Sequence, residues 1–166
     1  MAYWGIAMSR WTNPMAANVR PVPLLRQGRD AVASATRLSA GASERERGYV
    51  NAVAQLYDDF EHKDQGSRVL AYERAMRDLT VRQPPDTEAR IFHAISLVGA
   101  AEPTDKTYAK QLEAGRILES LWSKQPDHPG IAHYIIHAYD YPPLAGKAAG
   151  AARRYAGVAP SAAHAP

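Results

Sequence analysis

Cysteine is absent from the 166 residues, which excludes disulfides, thiolate metal sites and cysteine nucleophiles, so any metal would have to be held by His, Asp or Glu. Long apolar runs are also missing: no stretch approaches the ~20 apolar residues that a helix needs to cross a bilayer. Residues 1–8 are apolar but short, have no basic residue ahead of them and are cut off by Arg10, so they do not read as a secretory signal. As written, the chain is expected in the cytoplasm, without a membrane partner. A large excess of one charge is lacking too, with 20 basic against 17 acidic residues and a net charge of +3. The two signs alternate through the middle and only the ends lean basic. With no recognition motif beside that bias, nucleic acid is not an expected partner. There is no Walker loop, no dinucleotide fingerprint and no Gly-x-Ser-x-Gly elbow, and no sustained two-residue alternation that would mark a strand.

What is present is helical. A hydrophobic content of 46% over this length is enough to bury a core without staples and suggests one domain spanning residues 1–166. Trp4, Ala7, Met8 and Trp11 recur at helical spacing, so residues 2–11 are expected to form an amphipathic helix ahead of Asn13-Pro14. Its tryptophan face needs cover, either from a preceding helix or from the next one. Apolar periodicity places further helices at 24–40, with Gly41 as C-cap, and at 43–62, opened by a Ser43/Glu46 capping box. Others follow at 69–83 after a break at Gly66-Ser67, at 86–99 capped by Asp86, and at 106–124. The last two are 128–140, with Pro129 in its first turn, and 144–157, with Ala148, Ala152 and Tyr155 inward. His93 lies within an apolar run and reads as a core or edge histidine.

Helix punctuation recurs at Gln83-Pro84-Pro85-Asp86, Gln125-Pro126-Asp127 and Ala159-Pro160-Ser161; Pro126 to Pro160 is 34 residues, and Pro85 to Pro126 is 41, the excess lying in the loop around Glu102 to Asp105 and a longer first helix. A proline closing a helix every 34 residues is the tetratricopeptide spacing, in which helix pairs bury their apolar faces against neighbouring pairs. The expected fold is therefore an all-α, tetratricopeptide-like helical repeat array, an α-α superhelix of about seven helices. Four blocks in order, 2–9 (Ala-Tyr-Trp-Gly-Ile-Ala-Met-Ser), 44–50 (Glu-Arg-Glu-Arg-Gly-Tyr-Val), 103–108 (Pro-Thr-Asp-Lys-Thr-Tyr) and 126–143, together resemble a family of bacterial tetratricopeptide-repeat-like proteins of mostly unassigned function. The resemblance covers nearly the whole chain and implies the fold without supplying a reaction. It also implies a protein shortened at both ends, since members of that family carry an earlier helix and a later histidine-containing segment.

The densest chemistry lies in residues 126–143. His133 and His137 are four apart, one turn on the same helix face, with His128 at the helix start and Asp140 a turn beyond as candidate third ligands. Two histidines at i and i+4 plus a third group can hold a divalent metal such as zinc with a position left for water. Position 134 is tyrosine, where the glutamate base of His-Glu-x-x-His would stand. Tyr134, Tyr139 and Tyr141 are candidates for lining a ligand groove. Against this stands a structural role for the same histidines and tyrosines at helix crossings. The expected function is an interaction module that binds a peptide or partner protein on a concave face. The alternative is a metal-dependent hydrolase on the 128–140 helix. Self-association through exposed apolar ends, the Trp4/Trp11 face and the last helix, is a further expected partnership.

Overall fold

The computed structural model describes residues 1–16 and 18–160. Among these residues the fold is all-α, with eight helices where about seven were expected, and no strand. They are α1 (Ala2–Trp11), α2 (Val22–Arg37), α3 (Glu44–Gln55), α4 (Gln65–Arg82), α5 (Thr87–Gly99), α6 (Ala109–Trp122), α7 (Pro129–Ala138) and α8 (Ala145–Val158). None of the described helices is long and apolar enough to cross a membrane. Two compact units divide the chain, the first ending at Ala100 and the second beginning at Ala101. The anticipated third punctuation at Ala159-Pro160-Ser161 runs past the described residues at Ser161.

In the first unit, α1 packs on α2, α2 on α3, α3 on α4 and α4 on α5, with α1 also touching α3. Trp11 is buried and meets Tyr57 edge-on at 5.8 Å, while Trp4 makes T-shaped contacts with Tyr49 and Phe92 at 5.5 and 5.4 Å. The tryptophan face of α1 is thus consumed inside this unit and is not the exposed apolar end expected of it. The aromatic group continues into a core of Leu25, Val53, Leu56, Tyr72, Met76 and Leu79.

In the second unit α7 lies between α6 and α8, packing on both. Ile131, Ile135 and Ala138 of α7 are fully or almost fully buried, as are Leu118 and Leu121 of α6. On α8 the buried positions are Ala148, Ala151 and Tyr155; Ala152, expected to face inward, is exposed, because the 3.6-residue period from Ala148 returns to 151 and 155.

Helix ends follow local hydrogen bonding. The Ser43/Glu46 capping box forms as expected, and Asp86 accepts from the Ala89 amide at 3.2 Å. α2 ends at Arg37 with Leu38 as a right-handed C-cap, so Gly41 has no capping role. α3 stops at Gln55 instead of continuing to residue 62, and the following turns pass through Asp59 at a left-handed φ of 44°. α4 begins at Gln65 because Asp64 accepts from the Ser67 amide at 2.9 Å, which turns Gly66-Ser67 into a first turn instead of a break. α6 begins only at Ala109, after Tyr108 at φ 54°.

Candidate functional site

α7 starts where His128 supplies the cap: its Nδ1 accepts from the Ile131 amide at 3.3 Å, and Pro129 occupies the first turn, where no amide donor is missed. Asp127 takes no part in that cap. Its carboxylate receives an Arg154 guanidinium nitrogen at 2.5 Å, and the Pro126 carbonyl accepts from both Trp122 Nε1 and Arg154 Nε at 3.1 Å. The α6–α7 turn is therefore fastened to α8, and this fastening positions the histidine face of α7.

His133 and His137 come together as their spacing predicts. Their Nε2 atoms are 3.0 Å apart, with ring centroids 4.6 Å apart and planes at 77°. Both side chains are half-buried. His133 lies 5.2 Å from the Tyr155 ring and 5.6 Å from that of Tyr134. At this separation one imidazole donates and the other accepts, so the pair holds a single proton between the two Nε2 atoms when both rings are neutral.

The proposed third ligands are placed elsewhere. His128 is engaged at the N-terminus of the helix, and Asp140 is exposed beyond the C-cap Tyr139. Among the described residues no three His, Asp or Glu side chains converge in a way that would hold an ion.

The three tyrosines have separate surroundings. Tyr139 is 1% exposed and lies over Gly115 so closely that a Cβ there would fall 2.1 Å from its ring. Burial, followed by the Glu119 carboxylate with which its hydroxyl hydrogen-bonds, pushes its pKa up to about 12. It is a core residue and is not available to line a groove, because the helix α6 backbone approaches it where glycine leaves room. Tyr141 is half-buried against the Tyr108 ring at 5.3 Å, and Tyr134 sits beside His133.

Two features of the first unit were less visible in the sequence. A mostly apolar cavity of about 220 Å³ is lined by Met1, Tyr3, Ala35, Leu38, Glu46 and Val50. Of its lining, Tyr3 and Leu38 are 41% and 64% exposed, and Ile6 on the same helix as Tyr3 is 42% exposed. These residues belong to three helices, so no single periodicity reveals them. The second is a buried acid–base pair: His93 Nε2 lies 3.6 Å from Glu73 Oε1, with both side chains 7% exposed. Glu73 falls four residues after Val69 and three before Met76, on the register of the apolar stripe, and that was its one sequence signal. Such a pair is an ion pair when the imidazole is protonated.

Compared with known proteins, the chain matches no family model, no curated protein and no solved structure.

Proposed function

We propose that the chain is a degenerate tetratricopeptide-like array, related to the bacterial repeat family that its sequence resembles. Its role is to bind a peptide or a segment of a partner protein on its concave face. The observation carrying the binding role is the apolar cavity beside exposed Tyr3 and Leu38. Small-molecule pockets commonly enclose some 300–1,000 Å³; the 220 Å³ here suits one large apolar side chain of a partner better than a free ligand.

Support for the repeat comes from packing. Helices pair mainly with their neighbours in sequence within each unit, as in arrays built from stacked hairpins. One device is also used twice. Gly28 of α2 lies under the Tyr57 ring, just past the end of α3, and Gly115 of α6 lies under Tyr139, at the end of α7. In both hairpins the first helix gives up a side chain so that an aromatic ring closing the second can lie on its backbone.

Selection from a displayed peptide library tests the binding role. Peptides with an apolar anchor should bind with dissociation constants of about 1–100 μM. Leu38→Glu, a change at an exposed site, should weaken them at least about tenfold. Failure to enrich any peptide, or equal affinity for the variant, contradicts the reading.

A second reading, a metal-dependent hydrolase on the 128–140 helix, is favoured by the close approach of His133 and His137. It requires an acid from elsewhere on the chain as general base, because Tyr134 stands at the position a glutamate would occupy. Ester hydrolysis by zinc-loaded protein, lost in His133→Ala, tests it.

A further inference from the structure

Among the described residues only two ligands converge on the histidine face of α7, and that number says which kind of ion they suit. Their 3.0 Å separation is that of a ring N–H···N hydrogen bond, so both rings turn to meet an ion. Zinc sites use three or four protein ligands, whereas copper(II) and nickel(II) take imidazole nitrogens in square-planar or tetragonal geometry, and copper(II) stands above zinc in affinity for a given nitrogen set.

We propose that His133 and His137 form a two-nitrogen chelate for copper(II) or nickel(II). This rests on the metal-binding part of the second reading above and does not require hydrolysis. Both rings project from one helix, so the four-residue register brings them to one face. Both are half-buried, and an ion can reach them without unfolding α7. With His128 engaged as the helix cap and Asp140 beyond the helix end, the protein supplies two corners and water the others. The ion takes the place of the proton held between the two Nε2 atoms. Binding therefore competes with protons and weakens as pH falls through the histidine range.

The test is titration of the full chain with copper(II), nickel(II) and zinc(II) separately, followed by calorimetry and, for copper, electron paramagnetic resonance. The double variant His133→Ala/His137→Ala defines binding elsewhere on the chain. The expected result is one copper(II) per chain with an axial tetragonal spectrum and two equatorial nitrogens. Either single alanine variant should weaken affinity at least about tenfold, with the helical circular dichroism unchanged. Should the variants unfold, nitrogen-resolved imidazole spectra of the unaltered protein keep the question open to refutation: substoichiometric nickel(II) should broaden His133 and His137 ahead of the other four of the six histidines. Tight zinc binding without copper or nickel binding at this pair would overturn the tetragonal assignment while leaving the hydrolase reading standing. No ion bound at the pair would overturn both.

Discussion

A methyl group added at Gly115 would lie 2.1 Å from the Tyr139 ring, and one at Gly28 would lie 2.1 Å from Tyr57. Neither ring has room to retreat, since both are almost fully buried. Gly115→Ala should therefore cost about 1–3 kcal/mol by overpacking, read as a lower urea midpoint at unchanged slope. Combined with Tyr139→Leu, the loss should fall short of the sum of the two single losses, because the smaller side chain removes the clash. Asp86 concentrates another set of interactions: Arg45 donates to it from two nitrogens at 2.6 and 3.1 Å, the Tyr49 hydroxyl at 3.0 Å and the Ala89 amide at 3.2 Å. Burial pushes its carboxyl up, but the hydrogen bonds from Arg45, Ala89 and Tyr49 outweigh that and hold it below its ordinary value of 3.8. A carboxyl depressed in the folded state stabilises the fold above its unfolded pKa and loses that contribution as pH falls through the folded one. Stability of the protein should thus decline below about pH 4, and Asp86→Asn should be less stable at neutral pH and show a flatter decline in acid-titration melts.

Among the elements, the connector from α1 to α2 depends on one buried side chain. Arg20, 2% exposed, donates to the carbonyls of Trp11 and Asn13 at 2.6 Å, of Ala16 at 3.1 Å and of Asn18, and to the Asn18 side chain at 3.0 Å, while its guanidinium lies 4.9 Å from the Trp11 ring. Lysine has no planar fork to serve so many acceptors. Arg20→Lys should lower stability by about 2 kcal/mol or more, nearly as much as Arg20→Ala, in the same denaturation measurement. The acceptors all lie within nine residues of Arg20, yet the sequence does not announce that role, because nearly all of them are backbone carbonyls, which carry no residue signature. Elements with local causes were legible: α1 over residues 2–11, the Ser43 capping box, the Asp86 cap, and α7 with Pro129 at its start. The ends that were misplaced are those fixed by a single turn, such as Asp64 capping α4 ahead of Gly66 or the left-handed Asp59 and Tyr108. At the candidate site, the His133/His137 pair followed from helical register alone. The burial of Tyr139 and the cap made by His128 depended on neighbours that periodicity does not specify, as did the cavity assembled from α1, α2 and α3.

At the scale of the whole molecule, each unit has its own buried core, and each contains one hairpin closed by a tyrosine over a glycine. What distinguishes the first unit is the apolar surface left at its cavity, where Tyr3 and Ile6 of α1 remain exposed although the tryptophans of the same helix are packed away, and where Leu38 at the end of α2 is exposed too. That contrast is the physical basis for reading the chain as a binding module, and a labelled sample can locate the binding directly. Chemical-shift mapping of a selected apolar-anchor peptide on the isotope-labelled chain should give perturbations concentrated at Tyr3, Ala35, Leu38, Ala42 and Val50, saturating with the peptide and lost in Leu38→Glu. Perturbations gathered instead around His133 and His137, or none at saturating peptide, would contradict the account.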